Sequence, residues 1–237
     1  MHWNSEAIVL KQNPFNDDKL LCWIFSETDG LYKGLISLNK KTRNQIQVGN
    51  IVNANWKARL PEHMGSFFCE LIKPISIEVL NDKLKLSSIS SLCAILASCL
   101  PERVSEPRIY KAFYEFLSDI KNNTDWLGDY IRFETLLLQE LGFALNFNSC
   151  AVTGATDGLY YVSPKTGMAV TKEAGEAYRD KLLKLPKFLL DDSHASKDES
   201  TLGLELTYYF INKHLYKSHN REIPAIRTIF YNMVCIN

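Results

Sequence analysis

A change of pattern near residue 81 most constrains the fold of this chain. Before it, five short runs rich in β-branched and aromatic residues are separated by turn signals such as Asp29-Gly30. After it, apolar residues recur at helical spacing. We therefore predict an α+β fold, with a five-stranded β-barrel over residues 1–80 and an α-helical domain over residues 81–237. The runs are EAIVLKQ, KLLCWIFSE, GLYKGLISL, NIVNANWKARL and GSFFCELIKPISIEVL.

Five strands of this length suit several small barrels, of which the oligonucleotide-binding barrel (OB-fold) is one, and strand count does not choose among them. In the second part, helices are predicted over residues 84–100, 108–120 and 126–143, with prolines ending the first and opening the second. An irregular insert follows at about residues 146–178. Residues 191–200 are predicted to form a mobile loop, and two further helices are expected at about 202–217 and 224–235.

The segment from Tyr32 to Pro61 has six basic residues and no acidic one, in a chain whose formal net charge is zero. Its flanking runs predict strands, so we expect these cations to be fixed on the barrel. A phosphate backbone with stackable bases requires such a surface, and the alternative is an ordinary solvated loop. The candidate contacts are Lys33, Lys40, Lys41, Arg43, Lys57 and Arg59.

The alternation of side chains along each predicted strand indicates which of these cations lie on the same side of the barrel. Lys57 and Arg59 lie two apart on the fourth run, so alternation places them on one side of the strand. Trp56 has the opposite parity and is expected in the core. Residues 40–43 are expected in the loop after the third strand.

Composition excludes several classes of protein. The N-terminus lacks the cationic start and apolar run of a signal peptide, and residues 88–100 are too short and serine-rich to span a bilayer, so we expect a cytoplasmic protein. The six cysteines include no CxxC pair, which favours free thiols over disulfides or a metal site. Cys22, Cys69 and Cys93 are expected to be buried.

Enzymatic motifs are missing from the sequence. No GxSxG, phosphate-loop or HExxH pattern occurs, so we expect no catalytic residues and no enzyme activity. A different pattern lies on the third predicted helix, where Arg132, Leu136, Gln139 and Phe143 fall on one stripe. A cation beside an apolar groove suits an acidic peptide with a hydrophobic end, whereas the alternative is two core residues beside a surface cation.

An ordered set of segments resembles the RecO family of bacterial recombination mediators. The segments are AIVL, DDKLLCWIFSETDGLYKGLISLNKK, RFETLLLQELGFALNFNSCAVTG, LYYVSPKTGMAV and AGEAYRDKLLKLP. The resemblance covers nearly the whole chain and implies an OB-fold followed by a helical domain.

The resemblance also implies binding of single- and double-stranded DNA and annealing of complementary strands, near the bacterial nucleoid. It implies action with RecR and often RecF, to load RecA onto DNA coated by single-strand binding protein (SSB). The acidic, phenylalanine-terminated SSB tail docks on the helical domain of some members. For this chain, that implies Arg132, Leu136 and Phe143 as contacts, with Cys150 as an apolar wall.

The chain departs from the family pattern at the zinc-finger-like segment. Many members bind zinc there through two close cysteine pairs. Here Cys150 stands at the first cysteine position, Thr153 occupies the position of its partner, and the later pair is absent. Zinc is therefore not expected, and no cofactor is. We expect Leu159, Tyr160, Tyr161 and Val162 to order this segment by packing.

Two functions from different classes remain open on the sequence. One is a DNA-binding mediator that anneals strands by neutralising phosphates. The other is an adaptor that binds SSB or RecR and has little contact with DNA, which the neutral isoelectric point of about 6.9 favours.

Overall fold

The computed structural model describes residues 1–60, 63–143, 145–191 and 193–236, with the backbone alone for residues 40 and 41. The chain forms two compact units. The first is Met1–Asn122 with Pro224–Met233, and the second is Asn123–Ile223 with Val234–Asn237. The predicted division near residue 80 stays a prediction. No helix within the described residues is long and apolar enough to cross a membrane.

Five strands of the first unit close into a barrel. Their order around it is β1-β2-β3-β5-β4, with antiparallel neighbours except where β3 meets β5 in parallel at Leu35 and Ser66. This is an OB-fold, as predicted. The strands are β1 His2–Asn16, β2 Lys19–Ser26, β3 Gly30–Ser37, β4 Ile51–Lys57 and β5 Ser66–Lys73.

Alternation along each strand fills the barrel with apolar side chains. Cys22 and Ile24 are fully buried, as are Val52 and Ala54 on β4. Trp56 is also in the core, as predicted, and is 1% exposed. Its indole N–H lies 3.2 Å from the carbonyl oxygen of Lys33 and 3.1 Å from that of Met64, so the core anchors the chain at Met64 just before β5.

Two details of the barrel differ from the sequence prediction. Residues after β3 form a short helix, α1 (Lys40–Gln45), because the Asn39 side chain caps it at Thr42 N, 2.8 Å away, and Ile46 anchors its end in the core. The strand β4 ends at Lys57, and Ala58 N bonds to the carbonyl oxygen of Met1. Arg59 therefore lies beyond the strand, and the predicted alternation with Lys57 is wrong.

Helices and a linker complete the first unit. The fully buried Cys93 lies on α3 and its thiol is 3.9 Å from the Val9 carbonyl oxygen, so α3 packs on β1. The linker before α4 follows the edge of β3 through a bridge between Leu31 and Glu102. The helices are α2 Ile75–Glu78, α3 Lys83–Cys99, α4 Pro107–Asp119 and, at the end of the chain, α9 Ala225–Cys235.

The second unit is built on the pair of α5 and α8. Between them the buried Glu134 carboxylate accepts hydrogen bonds from Tyr130 (2.8 Å) and Thr207 (2.5 Å). A small sheet of order β7-β6-β8 lies in the predicted insert and just beyond it. The elements are α5 Trp126–Glu140, β6 Leu159–Val162, β7 Ala169–Thr171, α6 Lys172–Gly175, β8 Leu183–Lys184, α7 Phe188–Asp191 and α8 Lys197–Ile211.

The predicted mobile loop at residues 191–200 is wrong for its second half. Ser196 and Glu199 form a reciprocal capping box, so α8 begins at Lys197. The helix continues as a π turn, Asn212–Tyr216, and a 3-10 turn, Lys217–His219, and another 3-10 turn spans Glu176–Lys181.

Packing of the insert agrees with prediction at three of four residues. Leu159, Tyr161 and Val162 are buried, whereas Tyr160 points outward and is 39% exposed. Tyr160 has the opposite parity on β6, so its side chain lies on the other face of the small sheet.

Gly65→Ala should destabilise the protein more than Gly154→Ala. Both glycines have φ of +73°, so the backbone strain is matched. A Cβ at Gly65 would lie 2.5 Å from the Trp56 ring, whereas nothing lies within 4 Å at Gly154. We expect an additional loss of about 1–3 kcal/mol for Gly65→Ala, measured by urea unfolding. Equal losses for the two variants would contradict the close packing of Trp56 against this turn.

Candidate nucleic-acid interface

The predicted cations are distributed over three parts of the barrel. Lys33 faces outward from β3, Arg43 is exposed on α1, and Lys57 and Arg59 are exposed at and beyond the end of β4. The side chains of Lys40 and Lys41 lie outside the described part of the structure. The strand β5 separates β3 from β4. The four described cations therefore do not form one continuous row.

Lys33 is partly neutralised by a carboxylate. Its ammonium lies 2.5 Å from Glu102 Oε1, and both side chains are more than a third exposed. Such a pair in high dielectric contributes about 0–1 kcal/mol, so a phosphate can replace Glu102 at small cost.

A tryptophan lies between two lysines on the outer face of the barrel. Strand register sets Trp23 directly opposite Lys11 on β1 and Lys33 on β3. The two ammonium groups are 4.9 Å and 5.6 Å from the centroid of the Trp23 ring. We call Lys11, Trp23 and Lys33 the Trp23 row. A half-buried ring flanked by cations can stack on a base while the lysines contact phosphates on either side.

Sequence reasoning missed two members of the Trp23 row. Lys11 lies outside the cationic segment, and Trp23 was not distinguished from other aromatic residues. Alternation along β2 carried the signal, since Cys22 and Ile24 fill the core and Trp23 must then face outward.

Of the aromatic residues within the cationic segment, Trp56 is buried in the core and Tyr32 is partly buried against it. Tyr32 and Trp56 meet edge to face, with ring centroids 4.7 Å apart. The guanidinium of Arg103 lies 5.3 Å from the Tyr32 ring and 5.6 Å from the Trp56 ring, and donates to the His63 carbonyl oxygen at 3.1 Å. Arg103 thus adds an exposed cation near the β4–β5 loop, which in OB-folds contacts ligands.

A groove in the second unit contains part of the predicted peptide site. Arg132, Leu136 and Gln139 are on its wall, and its volume is about 520 Å³. Phe143 and Cys150 are not among the described residues that line it. The helix α5 ends at Glu140, and Gly142 has φ of +82°, so helical spacing does not extend to Phe143. The Phe143 ring stacks on His214, with centroids 4.9 Å apart.

Arg132 is held by its own neighbours. Its Nη1 lies 2.9 Å from Asp125 Oδ2 and 2.8 Å from Asp129 Oδ1, and its Nη2 donates to the Ser193 carbonyl oxygen at 2.6 Å. Burial lowers the pKa of Arg132, but the hydrogen bonds to the two aspartates outweigh this effect and raise it. An acidic ligand must therefore share the guanidinium with two carboxylates.

Cys150 is a buried thiol in a loop closed by hydrogen bonds. Its N–H donates to Ala155 O at 2.7 Å, its carbonyl accepts from Gly154 N, and its sulfur accepts the N–H of Thr171 at 3.3 Å. Burial raises the pKa of Cys150, but hydrogen bonds from the Thr153 hydroxyl and the backbone N–H of Thr171 outweigh it and lower the pKa to about 6. Within the residues described, no three His, Cys, Asp or Glu side chains are grouped to hold a metal ion.

Comparison with known proteins gives consistent matches along the chain. Residues 1–75 match the family model described as recombination protein O N terminal, and residues 80–222 match recombination protein O C terminal. A DNA repair protein RecO of Wolbachia sp. subsp. Drosophila simulans is 38% identical over 98% of this chain and 100% of its own length. The RecO of Rhodospirillum centenum is 39% identical over 97% of this chain and 93% of its own, and that of Anaplasma marginale is 36% identical over 91% and 92%.

Replacing the Cys150 thiol should change how stability depends on pH. The folded-state pKa of about 6 is below the ordinary value of 9, so thiolate formation adds stability as pH rises from 6 to 9, and this is lost as pH falls through 6. The difference in Tm between the wild type and Cys150→Ser should therefore grow over that range.

Thr153→Val is the companion variant, because it removes a hydroxyl donor and should move the rise towards higher pH. Burial raises the pKa of Cys22 to about 12, so that thiol does not titrate in this interval. A Tm difference that stays constant from pH 6 to 9 would contradict the lowered pKa.

Proposed function

The chain belongs to the RecO family of DNA repair proteins, and on that premise we propose that it binds single- and double-stranded DNA and anneals complementary strands. In this proposal it acts without bond chemistry, in the cytoplasm beside the bacterial nucleoid. The main support is the Trp23 row, which combines a stacking ring with two cations on an OB-fold. Arg43, Lys57, Arg59 and Arg103 are further exposed cations of the same unit.

Charge neutralisation explains how such a protein anneals strands. Two single strands repel one another through their phosphates, and bound lysine and arginine side chains lower this repulsion. Base pairing then supplies the free energy. Release of condensed counterions makes the affinity fall with salt, with a slope of roughly −3 in log affinity against log salt for about four neutralised phosphates on a single strand.

The paired state of Lys33 fits this role. Its carboxylate partner, Glu102, lies in the linker beside β3, and the contact is exposed to solvent. DNA can therefore take the place of Glu102 without leaving a charge buried, since both groups stay hydrated.

Lys11→Ala combined with Lys33→Ala should weaken binding to single and double strands of any sequence. Each removed phosphate contact should flatten the salt slope for a single strand by about 0.7. Fluorescence anisotropy with a labelled oligonucleotide over a salt series measures this. Lys165→Ala, which removes an exposed cation from the second unit, is the matched control. An equal flattening by Lys165→Ala would move the binding surface away from the barrel.

Trp23→Ala should weaken single-strand binding by about 1–3 kcal/mol and leave the salt slope unchanged, because it removes stacking and no charge. Double-strand binding should change less, since paired bases are already stacked. Trp23→Phe retains a ring and should recover much of the affinity. Identical losses for single and double strands would mean that the ring does not contact bases.

For partners, we propose that the groove along α5 receives the acidic, phenylalanine-terminated SSB tail. Leu136 and Leu189, which are both partly exposed, offer apolar contact, and Arg132 offers a charge. Phe143 and Cys150, outside this groove, are not proposed as direct contacts. We also propose RecR, RecF and indirectly RecA as partners, and this proposal rests only on membership of the RecO family.

Arg132→Ala and Leu136→Ala should each weaken binding of an SSB-tail peptide about tenfold or more, as expected for a desolvated interface contact. Isothermal titration with the intact chain measures this, and a peptide lacking its terminal phenylalanine is the control. DNA affinity should be unchanged by Leu136→Ala. Full-strength peptide binding by both variants would place the docking site elsewhere.

One observation favours the adaptor as a second candidate. Lys33 and Arg132 are both paired with carboxylates, and the chain has no net charge, so attraction for a polyanion is limited. A gel shift with a labelled oligonucleotide, with and without SSB-tail peptide, distinguishes the two functions. The adaptor binds the peptide and shifts little DNA even at low salt.

A further inference from the structure

A second face of the barrel carries an exposed phenylalanine beside the side-chain amides of asparagine residues. Phe68 is the third residue of β5, and its side chain is 65% exposed. Strand register sets Asn55 beside it on β4 and Asn4 beside Asn55 on β1. This face uses β1, β4 and β5, whereas the Trp23 row uses β1, β2 and β3.

Three rows of outward residues define this face, which we call the Phe68 face. The middle row is neutral, with two amides and the aromatic ring. The row nearest the start of β1 consists of two basic residues and a serine. The row on the other side of the middle row has a glutamate at each end and an asparagine between them. The rows are His2, Lys57, Ser66; Asn4, Asn55, Phe68; and Glu6, Asn53, Glu70.

The polar groups of this face are available to a ligand. The side-chain amides of Asn4, Asn53 and Asn55 make no hydrogen bond to another residue in the parts of the chain that the structure describes. Together with Lys57, Phe68 and Glu70 they line a shallow concavity of about 360 Å³. Each amide offers donors and an acceptor, so the concavity has hydrogen-bonding capacity that the protein does not itself use.

The chemistry of the Phe68 face fits an unpaired nucleobase. A phenylalanine ring stacks on any base, asparagine bonds the adenine edge, and a carboxylate accepts from an exocyclic amino group. Lys57 lies one row from Phe68, where it can contact a phosphate of the same nucleotide strand. A protein partner suits the face less well, because the core of protein interfaces surrounds its aromatic anchor with apolar contacts that exclude water, and here the nearest neighbours across the strands are amides.

We propose that the Phe68 face binds the bases of single-stranded DNA, with one base stacked on Phe68 and its amino-bearing edge towards Asn53 and Glu70. This rests on the proposed function in that both require DNA binding. It adds a site that reads bases, separate from the Trp23 row. Because the acceptors Glu6 and Glu70 border one side, adenine and cytosine bind better than thymine.

The test compares a labelled oligodeoxyadenylate with an abasic strand of the same number of phosphates. The wild type should prefer the strand with bases. Phe68→Ala should reduce that preference by about five- to a hundredfold, with an unchanged salt slope, because a stacking contact is lost and no charge. Phe68→Tyr should retain the preference, and Asn53→Ala with Asn55→Ala should reduce the advantage of adenine over thymine.

Ile77→Ala is the matched control, because Ile77 lies on α2 of the same unit and is 58% exposed. Its substitution therefore removes an exposed apolar side chain from a different part of that unit. It should leave the preference unchanged. If the wild type binds both strands with the expected salt dependence and Phe68→Ala keeps the full preference for bases, this inference is overturned and the proposed function stands. If neither strand binds even at low salt, the proposed function itself fails.

Discussion

The period-two alternation of a closed five-stranded barrel decides which side chains can meet a ligand. With so small a circumference, each strand must send every second residue inward, and the interior has room for Trp56 and Phe67 because Gly34 leaves space beside them. A Cβ at Gly34 would lie 2.6 Å from the Phe67 ring. The same constraint sends Trp23, Lys33 and Phe68 outward. Both candidate nucleic-acid surfaces are thus consequences of how the core is filled.

Alternation also explains why the aromatic residues that are close in sequence to the lysines are not the ones that lie beside Lys33 on the outer face. Tyr32 and Trp56 are close in sequence to the lysines, yet Trp56 is buried in the core and the partly buried Tyr32 ring packs edge to face on it. Trp23 is at least ten residues along the chain from each of the predicted cations, and the register between β2 and β3 brings it to Lys33. Pairing between strands is a long-range property, so proximity along the chain does not reveal it.

The parts of the fold that the sequence predicted are those with a repeated local signal. Five alternating strands and the long helices α3, α4 and α5 each show their period over many residues. The six-residue helix α1 is too short for a period, and depends on the cap at Asn39. The prediction that Phe143 lies on the same helical stripe as Arg132 was wrong for another reason. The helix α5 ends before Phe143, and Gly142 has a positive φ. For the site, the sequence indicated the cations Lys33, Lys57 and Arg59, but not the pairing of Lys33 with Glu102 or the separation of the cations around the barrel.

Pairing of cations with carboxylates sets how strongly this neutral chain can hold a polyanion. Glu102 lies in the linker, and Asp125 and Asp129 lie at the start of α5, so Lys33 and Arg132 each have an internal competitor for an anionic ligand. At Lys33 the competitor is exposed and easily displaced, whereas the Arg132 side chain is only 24% exposed and is fixed by several bonds. An exposed pair exchanges partners at little cost, and a buried one does not. Of these two paired cations, Lys33 on the barrel is therefore the one that can more readily exchange its carboxylate for another anion.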